Sequence, residues 1–349
     1  MMSTVVSVDC IKTFLLQVLL TAGCDSRSAE TTSEGLLLGS LRGVDSHGIR
    51  LLPHYIKALK AGRLNPKPNL KFERTGAATG TLDADHGLGF PAGIEAVDQA
   101  TRLAHEAGVG VISVKNSSHG GIMAYYTLTG AEKGFITLAC TNTTPRLIPP
   151  GAKEPFLGTN PLSYAVPSAQ GHPLCYDAAT TALTGNKIRI CRETGMPLPE
   201  GVATTADGVP TIDPNQAEYL VPFGGYKGFG IALLIDILCG ALAGMPHSSQ
   251  VSQMYGASLT GKRYLGQCFI AIDPGRFPGG DQFAETISEE ITRLRNLPNH
   301  EYSNTISPGD PEAREYRKRS KTGIFISPEL LNELDQISDN LNIPKLTAS

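Results

Sequence analysis

From residue 72 onward the chain alternates short β-rich runs with helical stretches, and this alternation constrains the fold more than any other feature. The predicted elements are, in chain order, a strand Thr79–Asp83, a helix Ile94–Glu106, a strand Val109–Val114, a helix Ile122–Glu132 and a strand Phe135–Thr141. Gly108 and Gly134 directly follow the two helices, in the position where a helix commonly ends. This order of strands and helices predicts an α/β protein.

Both ends of the chain are predicted to be helical, because apolar residues recur there at helical spacing. Ser327 and Pro328 provide a capping serine and a first-turn proline for a last helix. Earlier helices are predicted at Ile11–Ala22 and Ala29–Leu41, and a third carries Leu51 to Leu59. We expect residues 1–72 and 283–349 to form one helical domain and residues 73–282 to form an α/β domain.

Two further segments have a marked composition. The apolar stretch Gly228–Gly244 contains Asp236 and is shorter than the ~20 residues of a membrane span, so we expect a buried helix. The basic run Arg314–Lys321 is predicted to be a solvated face rather than a binding patch.

The overall charge and the cysteines exclude several classes of protein. A net charge of -3 and a pI of about 6.3 argue against a broad surface for nucleic acid or anionic membranes. The 7 cysteines are scattered and contain no CxxC pair, so neither a disulfide framework nor a zinc-finger spacing is present. The chain also starts without the basic residues of a signal peptide. We therefore expect a cytoplasmic protein without a metal site.

Two histidines lie in short Ser-His-Gly turns, where a side chain is accessible to a ligand. His47 precedes a predicted helix, and His119 follows the predicted strand that ends at Val114. A loop at the carboxyl end of a strand is a favoured ligand site, and histidine, with an unperturbed pKa of about 6.5, is a natural base near neutral pH. An exposed loop that caps a helix is the alternative interpretation of both turns.

Glycine-rich segments are candidates for binding phosphate. Pro222–Gly230 contains Lys227 and opens the apolar stretch, and the N–H groups of a helix start together with a lysine suit an anion. Gly158–Leu162 either offers N–H groups to a phosphate or ribose or is a plain turn. Asp177 either orients a histidine, binds a ribose hydroxyl or caps a helix. Gly87–Gly93 matches the Rossmann fingerprint only weakly because a proline interrupts it, so a classical Rossmann unit is not expected.

Six segments together resemble the malate/L-lactate dehydrogenase family of the second type, which includes ureidoglycolate, sulfolactate and 2,3-diketogulonate enzymes and a cyclic-imine reductase. They are, in order, "RGVDSHGIRLLPHY", "NSSHGGIMAYY", "PPGAKEPFLGTNPLSYAVP", "YDAATTA", "DGVPTIDP" and "LVPFGGYKGFGIALLIDIL". The resemblance implies a non-Rossmann nucleotide-binding fold with a largely antiparallel central sheet, and a homodimer. It also implies an enzyme that transfers a hydride between NAD or NADP and a small 2-hydroxy or 2-oxo acid.

The same resemblance implies roles for individual residues. His119 corresponds to the proton-accepting histidine, and His47 lies beside the reacting group. The expected substrate-binding residues are Ser46, His47, Arg50, Tyr55 and Arg146. The expected cofactor-binding residues are Thr143, Thr159, Asn160, Asp177, Ala178, Ala179, Lys187, Lys227 and Gly228.

One position departs from the family pattern. The family usually has an arginine where this chain has Leu51, and Arg50 stands one residue earlier. One position on a helix rotates a side chain by about 100°, so Arg146 is a second candidate for binding a substrate carboxylate. The alternatives are an NADPH-dependent reductase of cyclic imino acids and an inactive relative that binds only nucleotide or partners.

Overall fold

The computed structural model describes residues 4–255, 258–298 and 305–346. The strands in these ranges are β1 (Thr4–Val6), β2 (Lys71–Arg74), β3 (Thr79–Asp83), β4 (Val109–Ser117), β5 (Ile136–Thr141), β6 (Leu162–Val166), β7 (Leu174–Ala178), β8 (Ala203–Thr204), β9 (Tyr219–Leu220), β10 (Leu265–Ile272) and β11 (Ile324–Ile326). The α-helices are α1 (Val8–Thr21), α2 (Ser26–Leu41), α3 (Leu52–Lys60), α4 (Gly89–Ala107), α5 (Ala124–Glu132), α6 (Gly185–Thr194), α7 (Tyr226–Asp236), α8 (Phe283–Arg295), α9 (Asp310–Thr322) and α10 (Pro328–Leu341).

The central sheet has seven strands in the order β2-β3-β4-β10-β5-β6-β7. Its neighbours run antiparallel except β3 and β4, which are parallel because α4 carries the chain back between them. β10 enters from late in the chain between β4 and β5, and it is buried over most of its length. This topology confirms the predicted α/β class with a largely antiparallel sheet, which differs from the mostly parallel sheet of a Rossmann fold.

Local signals in the sequence set where several helices begin. The side chain of Asp25 accepts a hydrogen bond from the Ser28 N–H at 2.7 Å, which caps α2. Ser327 accepts from the Leu330 N–H at 3.3 Å and caps α10, where Pro328 occupies the first turn. The predicted cap at Ser327 is therefore confirmed.

The start of α4 shows what the glycines of segment 87–93 do. The helix begins at Gly89, before the predicted start at Ile94, and its first residues are buried. A Cβ at Gly89 would lie 2.4 Å from the carbonyl oxygen of His119, and one at Gly93 would lie 2.3 Å from the ring of Tyr126. These glycines permit close packing of the helix, so they are not a phosphate loop.

The two ends of the chain meet in space. β1 pairs with β11 in antiparallel register, from Thr4 opposite Ile326 to Val6 opposite Ile324. The apolar faces of the N-terminal helices and α10 share one core with the inner face of the sheet. By contrast, α8 is hydrogen-bonded to the turn after β6, where the Ser288 and Ser168 hydroxyls are 2.8 Å apart. The boundaries of a helical terminal domain stay a prediction.

The apolar stretch Gly228–Gly244 differs from its prediction. It forms α7 followed by a π-helical turn, Ile237–Ala241, and several of its large apolar side chains face solvent. Leu234 is 55% exposed and Leu242 is 60% exposed, so the expectation of a fully buried helix is wrong. The apolar composition of a helix does not show which of its faces packs against the rest of the chain and which faces solvent. No helix in the described part of the chain is long and apolar enough to cross a membrane.

Candidate functional site

His119 lies in the loop that follows β4, and its neighbours hold that loop tightly. Asn116 adopts a left-handed conformation (φ 53°), and its side-chain amide donates to both oxygens of Asp83 at 3.0 and 3.1 Å. The Ser118 hydroxyl donates to a backbone carbonyl at 2.7 Å. Gly121 has φ 66°, a conformation that favours glycine, and it lets the chain turn directly after the histidine. The position of His119 is therefore determined by fixed backbone on both sides.

His47 lies in a 3₁₀ turn, residues 45–47, that packs against small residues of α2. A Cβ at Gly39 would lie 2.7 Å from the His47 carbonyl oxygen, so only glycine allows this approach. Arg319 of α9 donates to Asp45 at 2.6 Å and to the Ser40 carbonyl at 2.7 Å, which ties the turn to α9. The prediction that the basic run is only a solvated face is therefore wrong for Arg319.

The two histidine rings meet face to face. Their centroids are 5.6 Å apart and their planes differ by 21°. The Tyr55 hydroxyl is 2.8 Å from Nδ1 of His119, and the Gly121 nitrogen lies 3.3 Å from the same atom. The Ser46 hydroxyl is 2.9 Å from Nδ1 of His47. When the ring hydrogen is on Nδ1 and the Tyr55 hydroxyl accepts it, the lone pair of Nε2 is free, and this atom has no hydrogen-bond partner in the described residues. Nε2 is therefore the atom that can accept a proton from a ligand.

Burial and neighbouring positive charge keep the histidines of this cluster neutral. Burial, together with His47, Arg263 and His54, lowers the pKa of His119 well below its usual value. Burial also lowers the pKa of His47, and burial followed by nearby arginines lowers the pKa of His54 to about 4. A neutral imidazole can accept a proton, which is what a general base must do.

Replacing Tyr55 with phenylalanine removes the hydroxyl that holds Nδ1 of His119. We expect turnover to fall about 5- to 10-fold, since a net hydrogen bond contributes about 1 kcal/mol. Steady-state kinetics on Tyr55→Phe measures this loss. Tyr164→Phe is the matched control, because Tyr164 stacks on Tyr176 in the sheet with centroids 5.3 Å apart. Equal turnover in both variants would contradict a role for the Tyr55 hydroxyl.

A small recess opens beside His119. Its lining includes His54, Tyr55, Arg63, His119, Met254 and Arg263. Sequence reasoning selected Tyr55 and His119 but missed the other four. His54 stands inside a motif that the resemblance used, whereas Arg263 is an isolated arginine before β10 and gave no signal. Residues this far apart in sequence are brought together only by the fold.

The expected carboxylate-binding arginines lie outside this recess. Arg50 is exposed, and Leu51 is buried in the core. Arg146 is also exposed, and its guanidinium lies 3.5 Å from where a Cβ of Gly185 would stand, at the start of α6. Lys187, an expected cofactor ligand, is exposed in the first turn of the same helix. Arg146 therefore lies beside Lys187 and does not line the recess.

Several expected cofactor-binding residues form one cluster. The Thr143 and Thr159 hydroxyls are 3.2 Å apart, and the Thr180 N–H donates to the Thr159 carbonyl at 2.9 Å. Asn160 is fully buried, accepts from the Thr143 N–H and donates to the carbonyl of Ala232 in α7, both at 3.0 Å. Because both ends of its side chain bond to backbone, Asn160 holds the cluster to α7.

The turn before α7 fits a phosphate of a dinucleotide. Gly224 and Gly225 have φ of 59° and 66°, and nothing lies within 4 Å of a Cβ built on either residue. Lys227 is exposed in the first turn of the helix, and Gly228 is buried beneath it. The Phe223 N–H donates to the Thr180 carbonyl at 3.1 Å, which joins this turn to the strand end at Ala178 and Ala179. Open space, helix N–H groups and a cation are what an anionic phosphate requires.

Asp177 connects the two halves of the site. Its Oδ2 accepts from the Ala124 N–H at 2.7 Å, so it caps α5, the helix that follows the His119 loop. Burial raises the pKa of Asp177 to about 7, and the Ala124 N–H and Arg42 oppose that rise. Asp177 thereby links β7 to the backbone that carries His119. Of the three roles considered from the sequence, helix capping is the one its contacts display, although the capped helix is distant in sequence.

Replacing Asp177 with alanine should remove this cap. We expect the free energy of unfolding to fall by about 1–2 kcal/mol, the usual effect of losing a helix cap. Asp177→Asn keeps an oxygen that accepts the Ala124 N–H and should lose less than half as much. Urea unfolding of the two variants makes the comparison, and an asparagine variant as unstable as the alanine variant would contradict the capping role.

Comparisons with known proteins identify the family and agree with this fold. Residues 6–335 match the family described as malate/L-lactate dehydrogenase. The chain is 35% identical over 335 residues to L-sulfolactate dehydrogenase of Methanocaldococcus jannaschii, covering 95% of this chain and 96% of that protein. It is 33% identical over 321 residues to ureidoglycolate dehydrogenase (NAD(+)) of Escherichia coli K12, covering 92% and 91%.

A solved structure gives the same result. The crystal structure of malate dehydrogenase from Entamoeba histolytica superposes with a TM-score of 0.92 at 29% identity, covering 98% of this chain and 99% of that one. Because the match spans nearly the whole chain in sequence and in fold, the chain belongs to the malate/L-lactate dehydrogenase family.

Proposed function

We propose that this protein transfers a hydride between NAD(P) and C2 of a small 2-hydroxy or 2-oxo acid, with His119 as the acid–base residue. The observation that carries the proposal is the geometry at His119. Its Nδ1 is held by the Tyr55 hydroxyl at 2.8 Å, and the residue lines a recess. A positioned neutral imidazole in such a recess suits the removal of a hydroxyl proton.

Separate groups of residues act on the substrate and on the cofactor. NAD(P), when bound, supplies or accepts the hydride. Lys227 and the N–H groups after Gly225 hold a phosphate of the dinucleotide, and the Thr143–Thr159 pair lines the path between the two regions. His119 takes the hydroxyl proton during oxidation and returns it during reduction. His47, stacked on His119, shields the imidazole from water, and Ser46 holds the His47 ring through its Nδ1.

The direct test is consumption of NADH and NADPH with a panel of oxo acids. The panel contains pyruvate, oxaloacetate, oxalurate, diketogulonate and piperideine-2-carboxylate. We expect turnover with at least one 2-oxo acid and a preference for one of the two nucleotides. Turnover with the cyclic imine alone would assign the protein to imine reduction. Nucleotide binding without oxidation by any compound would indicate an inactive relative.

We also propose that the protein is a homodimer. Exposed apolar side chains recur along α7 at intervals of three residues and once more five residues later, after the π-helical turn, and form one stripe made up of Ile231, Leu234, Ile237 and Leu242. The acidic residue of this helix, Asp236, is buried, so the stripe carries no charge. A second copy of the chain supplies an equally apolar surface across a two-fold axis.

We further propose a cytoplasmic location, which the free thiols of the described cysteines support.

Leu234→Asp tests the dimer, because it places a charge in the centre of the stripe. We expect sedimentation to change from a dimer in the wild type to a monomer in the variant. Ile190→Asp, on the exposed surface of α6, is the control and should leave the mass unchanged. A wild-type monomer at micromolar concentration would contradict this part of the proposal.

A further inference from the structure

The recess beside His119 needs a positive group if its ligand is a carboxylate. The position where the family usually has an arginine is Leu51, which is 4% exposed and packed in the core. Arg50 and Arg146 are both exposed and do not line the recess. Two arginines do line it, Arg63 and Arg263.

Arg63 is already occupied. Its guanidinium donates to the carbonyls of Gln253, Met254, Ser258 and Gly261 at 2.6–3.5 Å. These bonds hold residues 253–254 and the backbone at Ser258 and Gly261 to Arg63. Arg63 is therefore a structural residue with few donors left for a ligand.

Arg263, in contrast to Arg63, has hydrogen-bond donors that no described residue satisfies. It is 6% exposed, and its Nε and Nη1 atoms are buried without a hydrogen-bond partner in the described residues. Its Nη2 makes a long hydrogen bond to the Thr144 hydroxyl at 3.4 Å. No carboxylate in the described ranges forms an ion pair with it. Burial lowers its pKa to about 10, so the group still carries its charge at neutral pH.

An unpaired guanidinium in a protein interior is strongly unfavourable, because its charge has lost its water without gaining a partner. A buried donor left without an acceptor is unfavourable for the same reason. Proteins retain such groups where a ligand completes them, and a carboxylate matches the two parallel N–H bonds of an arginine. Such a fork is formed by Nη1 with Nη2 or by Nε with Nη2, and the long contact of Nη2 to Thr144 leaves it able to take part.

We propose that Arg263 binds the carboxylate of the substrate through one edge of its guanidinium and places the C2 oxygen at Nε2 of His119. This inference rests on the function proposed above and names its substrate class. The substrate presents a carboxylate directly attached to the reacting carbon, and esters and amides of that acid are poor substrates. Arg263 thus takes the role left vacant by Leu51.

The first test uses binding without catalysis. Oxamate, a 2-oxo carboxylate analogue, should raise the melting temperature of the wild-type protein in the presence of NADH. Arg263→Met should abolish this shift, whereas Arg102→Met, on the exposed face of α4, should keep it. Without ligand, Arg263→Met should melt at or above the wild-type temperature, because it removes an uncompensated buried charge. If Arg263 had a structural role, its loss would instead lower the melting temperature, and that result would overturn the assignment.

The second test compares an acid with its ester. The wild type should prefer a 2-oxo acid over its methyl ester by about 100-fold in kcat/KM, and Arg263→Met should lose the preference by slowing only the acid. Arg263→Lys keeps the positive charge but loses the two parallel N–H bonds, so it should retain part of the preference for the acid. This variant also tests the proposal if the methionine variant does not fold. If Arg50→Gln loses the preference and the Arg263 variants keep it, Arg263 is not the carboxylate ligand.

The two proposals fail separately. A wild type that reduces no oxo acid, yet shows an oxamate shift that Arg263→Met abolishes, contradicts the dehydrogenase function and leaves the carboxylate site standing. A wild type that reduces an oxo acid equally well with and without Arg263 contradicts the site and leaves the function standing.

Discussion

His119→Asn should lower turnover by at least ~100-fold, the low end of the loss when a general acid–base residue is removed. The side-chain amide of asparagine lies about as far from the backbone as Nδ1 of histidine, so it can keep a hydrogen bond to Tyr55 and preserve the loop. It cannot hold or release a proton near neutral pH. NADH should bind with nearly unchanged affinity, because the glycine turn before α7 is untouched. Stopped-flow turnover and NADH fluorescence titration measure the two quantities.

The control for this variant is His105→Asn, because His105 is exposed on α4 and faces away from the recess. It should leave turnover within about 2-fold, the range of a neutral surface substitution. Near-wild-type turnover in His119→Asn would remove this histidine from the mechanism. A parallel loss of NADH affinity would mean that the loop, and not the imidazole, had been disturbed.

Lys227→Met should weaken the binding of the dinucleotide by about 10- to 100-fold, because a charge-assisted hydrogen bond contributes about 1.5–3 kcal/mol. Lys227 lies in the first turn of α7, where the helix N–H groups and its ammonium act on the same anion. At saturating cofactor, kcat should change little, since the reacting groups remain in place.

Lys12→Met, on the exposed face of α1, is the matched control and should leave the dissociation constant of NADH unchanged. The affinity should also fall with added salt in the wild type and depend less on salt in Lys227→Met, because the lost contact is ionic. Equal affinity and equal salt dependence in all three proteins would place the cofactor elsewhere.

Much of the fold could be predicted from local pattern. The start and end of β3 agree with the prediction, and β4 and α4 differ from theirs only at their ends. Such elements are encoded within 10–20 residues by the spacing of apolar side chains, and their ends are the least certain part. The pairing of β10 between β4 and β5 joins segments more than a hundred residues apart, and no local pattern specifies it.

The candidate site was anticipated in part. His47, Tyr55 and His119 were selected from turns and from the family motifs, and the fold brings their side chains together. Arg263 was missed because an arginine before a strand is common on protein surfaces. What distinguishes it is burial without a partner, and burial is a property of the tertiary structure.

The amino-acid sequence alone determined the family, the α/β class and the two Ser-His-Gly turns, because ordered motifs and apolar periodicity are readable along the chain. Only the tertiary structure decided which cations reach His119, which face of α7 stays uncovered and what Arg319 does. Arg319 and Asp45 are 274 positions apart in the chain and form an ion pair at 2.6 Å. Contacts of this kind depend on how distant segments pack, since the energy of a charge is set by its surroundings rather than by its neighbours in sequence.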